Sequence, residues 1–144
     1  MDTSHWIRTR TSESRELFER VKVATLLSSK LSAYNLDEAE SIREAIEELI
    51  GKPVGDSVTL IPPFYADYGL NITVGRAVFI GYECAFTGHA PIDIADQVMI
   101  AHKVNLVTAG HPVEPTNDGT TSPRSRSRSM RMRGSEPPQR SCPV

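Results

Sequence analysis

The sequence predicts a mainly β protein, a parallel β-helix that follows a helical cap, and a six-residue repeat is the main reason. Between residues 74 and 107 an aliphatic or aromatic residue returns every six positions, usually followed by a small one. A second small or β-branched residue comes four positions after most of these. The repeat positions are Val74, Ile80, Phe86, Ile94, Ile100 and Leu106, with a two-residue phase slip through Ile92, and the second positions are Val78, Cys84, Ala90, Val98 and Val104. Neither a helix nor a hairpin has a period of six, whereas a β-helix repeats a short strand and a bend every six residues.

Two helices are predicted before the repeat. Residues 12–34 have apolar residues at spacings of three and four, which is the helical period. A second helix is predicted with Asn35 as its N-cap and Gly51 as its stop signal. Acidic residues are expected in its first turns, and one apolar stripe follows: Asp37, Glu38 and Glu40, then Ile42, Ile46, Leu49 and Ile50. We therefore expect a helical cap over residues 12–51 and coils over residues 54–115, since β-branched residues and glycines dominate from Val54 onward.

Composition limits the class of protein. The chain has 144 residues, a net charge of −2 and two cysteines, Cys84 and Cys142, which is too few for a disulfide framework. Cys84 occupies an inward position of the repeat and is expected to be a small core residue. No apolar run approaches the ~20 residues of a membrane span, and no signal peptide is recognisable, so a cytoplasmic protein without membrane contact is predicted.

The last 29 residues differ from the rest. Residues 116–144 are rich in Ser, Arg, Pro and Gly and have few apolar side chains, so this tail is predicted to be disordered. Residues 120–144 contain six arginines and one acid, a net of +5, which leaves −7 on the rest of the chain. The Arg–Ser run at 122–129 is an alternative RNA-binding segment, but no aromatic residue lies between the arginines to stack bases. We interpret the run as a flexible tail and do not expect nucleic acid as a partner.

Three stretches resemble the maltose/galactoside O-acetyltransferase family. They are residues 61–72 (IPPFYADYGLNI), 94–101 (IADQVMIA) and 108–112 (TAGHP). The likeness covers about residues 13–115, including the helical cap. It implies a left-handed β-helix, a homotrimer with its active site between subunits, and transfer of acetyl from acetyl-CoA to a hydroxyl of a sugar such as maltose, glucose or a galactoside.

The resemblance also implies roles for four residues. His111, in the TAGHP string, corresponds to the catalytic general base; Asp67, Gly81 and His89 correspond to contacts with the acceptor sugar. Gly81 and His89 depart from the family, which usually has Asn and often Asp at these positions. Position in the repeat alone gives another reading for His89 and His102, which are both expected to face solvent. No metal site is expected, and the residues that bind CoA are not identified.

An alternative function stays open. The family continues for several coils beyond its AGHP string and has most of its CoA contacts there, whereas the repeat in this sequence stops near Pro115. The alternative is a catalytically inactive, truncated β-helix that acts only as an assembly or binding partner. Because the last coil of such a stack would expose its edge, we expect a tendency to associate.

Overall fold

The fold begins with a helical cap. The computed structural model describes residues 5–8, 10–110, 124–127 and 130–134. After strand β1 (His5–Arg8), helix α1 spans Ser12–Ser32 and helix α2 spans Ala39–Ile50. Thr11 and Ser14 form a capping box at the start of α1, in which the side-chain oxygen of each residue accepts the backbone N–H of the other. The predicted first helix is thus confirmed, ending two residues earlier than expected.

The start of α2 differs from the prediction. Asn35 does not cap this helix, because α2 begins at Ala39 with Glu38 at the cap position. The Asn35 N–H instead donates to the Glu38 carboxylate at 2.7 Å, and the Asn35 carbonyl accepts the Glu38 N–H at 3.0 Å. The Asn35 carbonyl, which would accept the first hydrogen bond of the helix if Asn35 were the N-cap, is therefore occupied by a local turn. The predicted stop is correct: Gly51 has a left-handed φ of 67°, which a glycine adopts without strain.

Eight short strands form a triangular stack of parallel sheets. The sheets are β2-β5-β8, β3-β6-β9 and β4-β7, with a further strand beside β7. Each strand pairs with the third strand after it: Leu60 faces Ile80, and Ile80 faces Ile100, so one coil takes 20 residues. The strands are β2 (Thr59–Leu60), β3 (Phe64–Ala66), β4 (Ile72–Val74), β5 (Phe79–Ile80), β6 (Cys84–Thr87), β7 (Ile92–Ile94), β8 (Met99–Ile100) and β9 (Asn105–Val107).

The interior of the stack contains the predicted repeat residues. All are buried except Val74 and Val104, which are half-buried and pack against the core. Phe86 meets Phe64 of the coil below edge to face, with ring centroids 4.9 Å apart. Cys84 is 0% exposed and its thiol donates to the Ala101 carbonyl at 3.2 Å, so its predicted role as a core residue is confirmed.

The structure departs from the predicted tail in two segments. Strand β10 (Ala109–Gly110) and β1 both pair antiparallel with β11 (Arg124–Ser127), and β12 (Met130–Met132) pairs parallel with β7. Disorder was expected because this tail is polar, but the edges of β1 and β7 offer backbone hydrogen-bonding groups that a polar segment can satisfy. The other tail residues lie outside the described part.

Candidate functional site

The turn between β6 and β7 makes hydrogen bonds with side chains of the coils below and above it. Gly88 has a φ of 101°, and a Cβ there would lie 2.6 Å from the Ala109 nitrogen, so only glycine fits. Its N–H donates to both carboxylate oxygens of Asp67, at 2.8 and 3.0 Å. A charged acceptor makes this bond stronger than one between neutral groups. Asp67 therefore fixes the backbone immediately before His89.

Two further side chains bond the same turn. The Asn71 amide donates to the carbonyls of Gly88 and Ala90, at 2.9 and 2.6 Å. The Thr108 hydroxyl lies within reach of the carbonyls of Thr87 and Ala90, at 3.2 and 3.3 Å, and this residue is only 2% exposed. The turn is thus bonded by the coil below and the coil above. Such support holds a functional side chain in one orientation.

A cavity of about 210 Å³ lies beside this turn. It is bounded by the start of α1, by β1 and by the two stacked turns. Its lining residues are Ile7, Glu13, Glu16, Leu17, Tyr68 and His89. Pockets for whole small-molecule ligands usually measure roughly 300–1,000 Å³, so this cavity suits one ring or one end of a ligand. Its mixture of carboxylates, an imidazole and an aromatic ring suits a ligand with both hydroxyl groups and an apolar face.

Electrostatics couple Asp67 to His89. Burial raises the pKa of the Asp67 carboxyl above its ordinary value. The Gly88 N–H bond and the positive potential of His89 oppose that rise without cancelling it. The charge of His89 therefore affects proton binding by Asp67, which belongs to the stacked turn.

Arg20 links the cap to this corner. Its guanidinium donates to the Tyr68 carbonyl at 2.7 Å and also to the Leu49 carbonyl. Burial lowers the pKa of Arg20, but arginine remains charged at neutral pH. This contact fixes Tyr68 relative to both helices. The sequence analysis did not identify Arg20, Asn71 or Thr108 as site residues, although Asn71 and Thr108 lie in two of the strings that carry the family resemblance.

The structure brings together two of the four predicted site residues. Asp67 and His89 meet around Gly88, and His89 is half-buried at the cavity, so the expectation that it faces solvent is wrong. Its turn is two residues longer than the six-residue repeat requires, since Phe86 and Ile94 are eight positions apart, and the longer turn directs the side chain inward. Gly81 does not line the cavity; it packs against His102 on another corner, where the His102 ring stacks on Tyr82 at 3.8 Å. His102 is exposed, as expected.

His111 lies outside the described residues. Within the described part, no group of three or more His, Cys, Asp or Glu side chains is placed to bind a metal ion. Neither described helix combines the length and apolarity required to cross a membrane.

The sequence has relatives among characterised proteins, although no protein-family model matches it. Nodulation protein L of Rhizobium leguminosarum bv. viciae is 38% identical over 79 residues, which is 55% of this chain and 41% of that protein. The chain thus spans less than half the length of this curated relative.

Solved structures share the fold. A maltose O-acetyltransferase from Clostridium difficile 630 has a TM-score of 0.69 and 26% identity, over 84% of this chain and 63% of that one. A hexapeptide-repeat acetyltransferase from Vibrio cholerae O1 biovar eltor, complexed with acetyl coenzyme A, has a TM-score of 0.58 and 28% identity, over 73% and 54% of the two chains. The predicted fold class, a left-handed β-helix with a helical cap, is confirmed.

Proposed function

We propose that this chain, a member of the maltose/galactoside O-acetyltransferase family, forms the acceptor side of a site that transfers acetyl from acetyl-CoA to a sugar hydroxyl. The observation that supports this most is the turn at Gly88, which Asp67 bonds from the coil below and which directs His89 into a cavity. The V. cholerae relative was solved with acetyl coenzyme A, which supports the same thioester as donor.

The reaction needs few protein groups. A thioester is already activated, so the site must orient the two substrates and accept the hydroxyl proton as the new ester bond forms. Orientation and a positioned base can contribute large rate factors, the base about 10²–10⁴. A histidine, with an ordinary pKa near 6.5, suits the second task.

We assign the base to His111. The assignment comes from the resemblance of the TAGHP string at residues 108–112, in which the histidine corresponds to the catalytic base. A base is the group that this reaction needs beside the acceptor hydroxyl.

The acceptor hydroxyls are expected to contact the cavity residues. Each Asp67 oxygen already accepts the Gly88 N–H, but an ionised carboxylate has further lone pairs that a hydroxyl can use. His89 can donate to or accept from a hydroxyl, and the ring of Tyr68 offers a surface for the apolar face of a sugar. Gly81 has no such role here, since it packs against His102.

The second substrate and the assembly complete the proposal. We expect acetyl-CoA to approach along the coil stack and a neighbouring subunit of a homotrimer to complete the site. The alternative is a folded chain without turnover, which acts as an assembly or binding partner. The cavity beside the Gly88 turn favours the enzyme, because its carboxylates, imidazole and aromatic ring suit a hydroxylated ligand.

The test is an acetylation assay on the full chain with acetyl-CoA and maltose, glucose or a galactoside, following CoA release. We expect turnover that His111→Ala reduces by at least about 100-fold. The control is His102→Ala, which removes an exposed histidine on another corner and should leave the rate unchanged. His89→Ala should raise the acceptor KM about fivefold through one lost hydrogen bond and leave the KM for acetyl-CoA unchanged. A folded chain with no turnover on these acceptors would support the alternative.

A further inference from the structure

The last coil of the stack ends in strand edges. A strand edge in a parallel stack has unpaired N–H and C=O groups, which another strand can bond. The edges at this end belong to β7, β8 and β9. Strands β8 and β9 are the last described strands of their sheets, and β7 is the last strand of its sheet apart from β12. Exposed apolar side chains lie here as well: Met99 of β8 is 79% exposed and Val107 of β9 is 54% exposed.

Strand β12 occupies the edge of β7. Met130 faces Ile92 and Met132 faces Ile94, the same two residues that face β4 on the other side. The Met130 N–H donates to the Pro91 carbonyl at 2.7 Å, and the Ala95 N–H donates to the Met132 carbonyl at 3.0 Å. The pairing is parallel and in register. It is therefore the pairing that a strand one coil further along would make.

The side chains of this segment also fit the surface. Met130 and Met132 are half-buried and pack against the core, whereas Arg131 and Arg133 are exposed. This alternation is that of a strand with one apolar face. Methionine is unbranched and adapts to an irregular surface.

Gly134 continues the contact beyond the strand. A Cβ at this position would lie 2.5 Å from the Asp96 carbonyl oxygen and 2.9 Å from that of Gln97. The backbone of the segment therefore approaches the backbone of the next turn more closely than any other residue type allows.

We propose that residues 130–134 cap the described end of the coil stack and limit association of the chain through the β7 edge. This end strand takes the place of one strand of a further coil. Among the described residues, no strand covers β8 or β9 in the same way. The inference is independent of acetyl transfer, because it depends only on backbone pairing, on two methionines and on the close approach at Gly134.

The test compares two double variants of the full chain. Met130→Asp with Met132→Asp places charge on the packed face, and Arg131→Asp with Arg133→Asp places the same side chains on the exposed face of the same strand. Hydrogen exchange at the Ala95 amide reports the pairing directly, and sedimentation reports the mass. We expect the methionine variant to exchange at Ala95 at least about 10-fold faster and to form larger species, while the arginine variant keeps the wild-type behaviour.

Gly134→Ala is the milder variant if the methionine variant fails to fold. It should accelerate exchange at Ala95 and leave exchange at Ile80, in the middle of the stack, unchanged. Equal exchange at Ala95 in wild type and Gly134→Ala would overturn the proposal. Protection at Ala95 that increases with protein concentration would also overturn it, because the occupant would then be a second copy.

Discussion

Asp67→Ala is the substitution that tests the described corner most directly. The carboxylate accepts the Gly88 N–H with both oxygens, and Gly88 is buried. Alanine removes both acceptors and leaves a buried N–H without its partner. Asp67→Asn keeps one accepting oxygen for the Gly88 N–H, removes the charge and replaces the second oxygen with an NH2 group.

The magnitude follows from two opposing effects. A hydrogen bond to a charged group contributes about 1.5–3 kcal/mol, and this is lost in the alanine variant. Removing the carboxylate also relieves its burial, which raises the pKa of Asp67 and thus disfavours its ionised form. We therefore expect the lower part of the range, a loss of about 1.5–2 kcal/mol in the free energy of unfolding. The asparagine variant should stay within about 0.5 kcal/mol of wild type, since a neutral bond replaces the charged one without a buried charge.

The assay is equilibrium urea unfolding followed by circular dichroism. The matched control is Asp96→Ala, because Asp96 also accepts a backbone N–H, that of Arg76 at 2.7 Å, but at an exposed position. Asp96→Ala should lower the free energy of unfolding by less than Asp67→Ala does. The reasoning is refuted if the asparagine variant is as unstable as the alanine variant, or if the control loses as much as Asp67→Ala.

The pH dependence of the same two carboxylates has opposite signs. The pKa of Asp67 is raised above its ordinary 3.8, so the native state binds this proton more tightly and the contribution to stability decreases as pH rises from 3.8 through the raised value. The pKa of Asp96 is lowered by its bonds to the Arg76 backbone and side chain, so its contribution is present above 3.8 and is lost as pH falls through the lowered value. Subtracting the unfolding free energies of Asp67→Asn and of a further variant, Asp96→Asn, from that of wild type at each pH isolates the two terms; slopes of the same sign would contradict the assignment.

Two further pairs of substitutions, each a test with its control, examine the core and the cap. Phe86→Ala should cost about 3–5 kcal/mol, because it empties a position that is 1% exposed, whereas Tyr65→Ala, at 47% exposure, should cost far less; urea unfolding measures both. Gly51→Ala should cost about 1–2 kcal/mol, because φ is 67° and the new Cβ would lie 2.8 Å from the Leu70 side chain. Gly55→Ala, with its nearest contact at 3.7 Å, should be neutral or stabilising in thermal unfolding, and a reversed order would show that backbone conformation does not decide these sites.

The buried side chains of the stack could be predicted from the sequence because the repeat that identifies them involves only residues close together in the chain. A six-residue period fixes which side chains point inward without any knowledge of which strand lies next to which. Ile80, Phe86 and Ile100 are buried as that rule requires. The period alone does not determine how turns bond to each other, because those bonds join residues about one coil apart.

Contacts across longer separations could not be predicted. Arg20 bonds Tyr68 across 48 positions, and nothing in the helical period of α1 distinguishes this arginine from its neighbours. The start of α2 was predicted wrongly for a different reason: the Asn35 carbonyl accepts the Glu38 N–H in a local turn, and the helix begins only at Ala39. The end strand had a weak signal, the alternation of Met130 and Met132 with arginines, which the polar composition of the tail obscured.

The location of the candidate site was nevertheless present in the sequence, as an irregularity in the repeat. Inward positions are six apart except between Ala66 and Val74 and between Phe86 and Ile94, where they are eight apart. A coil of two sixes and one eight gives the observed 20 residues. The two extra residues fall at the same corner in both coils and form longer turns, whose additional backbone groups need partners. Asp67 and the Asn71 amide supply those partners, so the corner that breaks the period is also the one with room to present a side chain to a ligand.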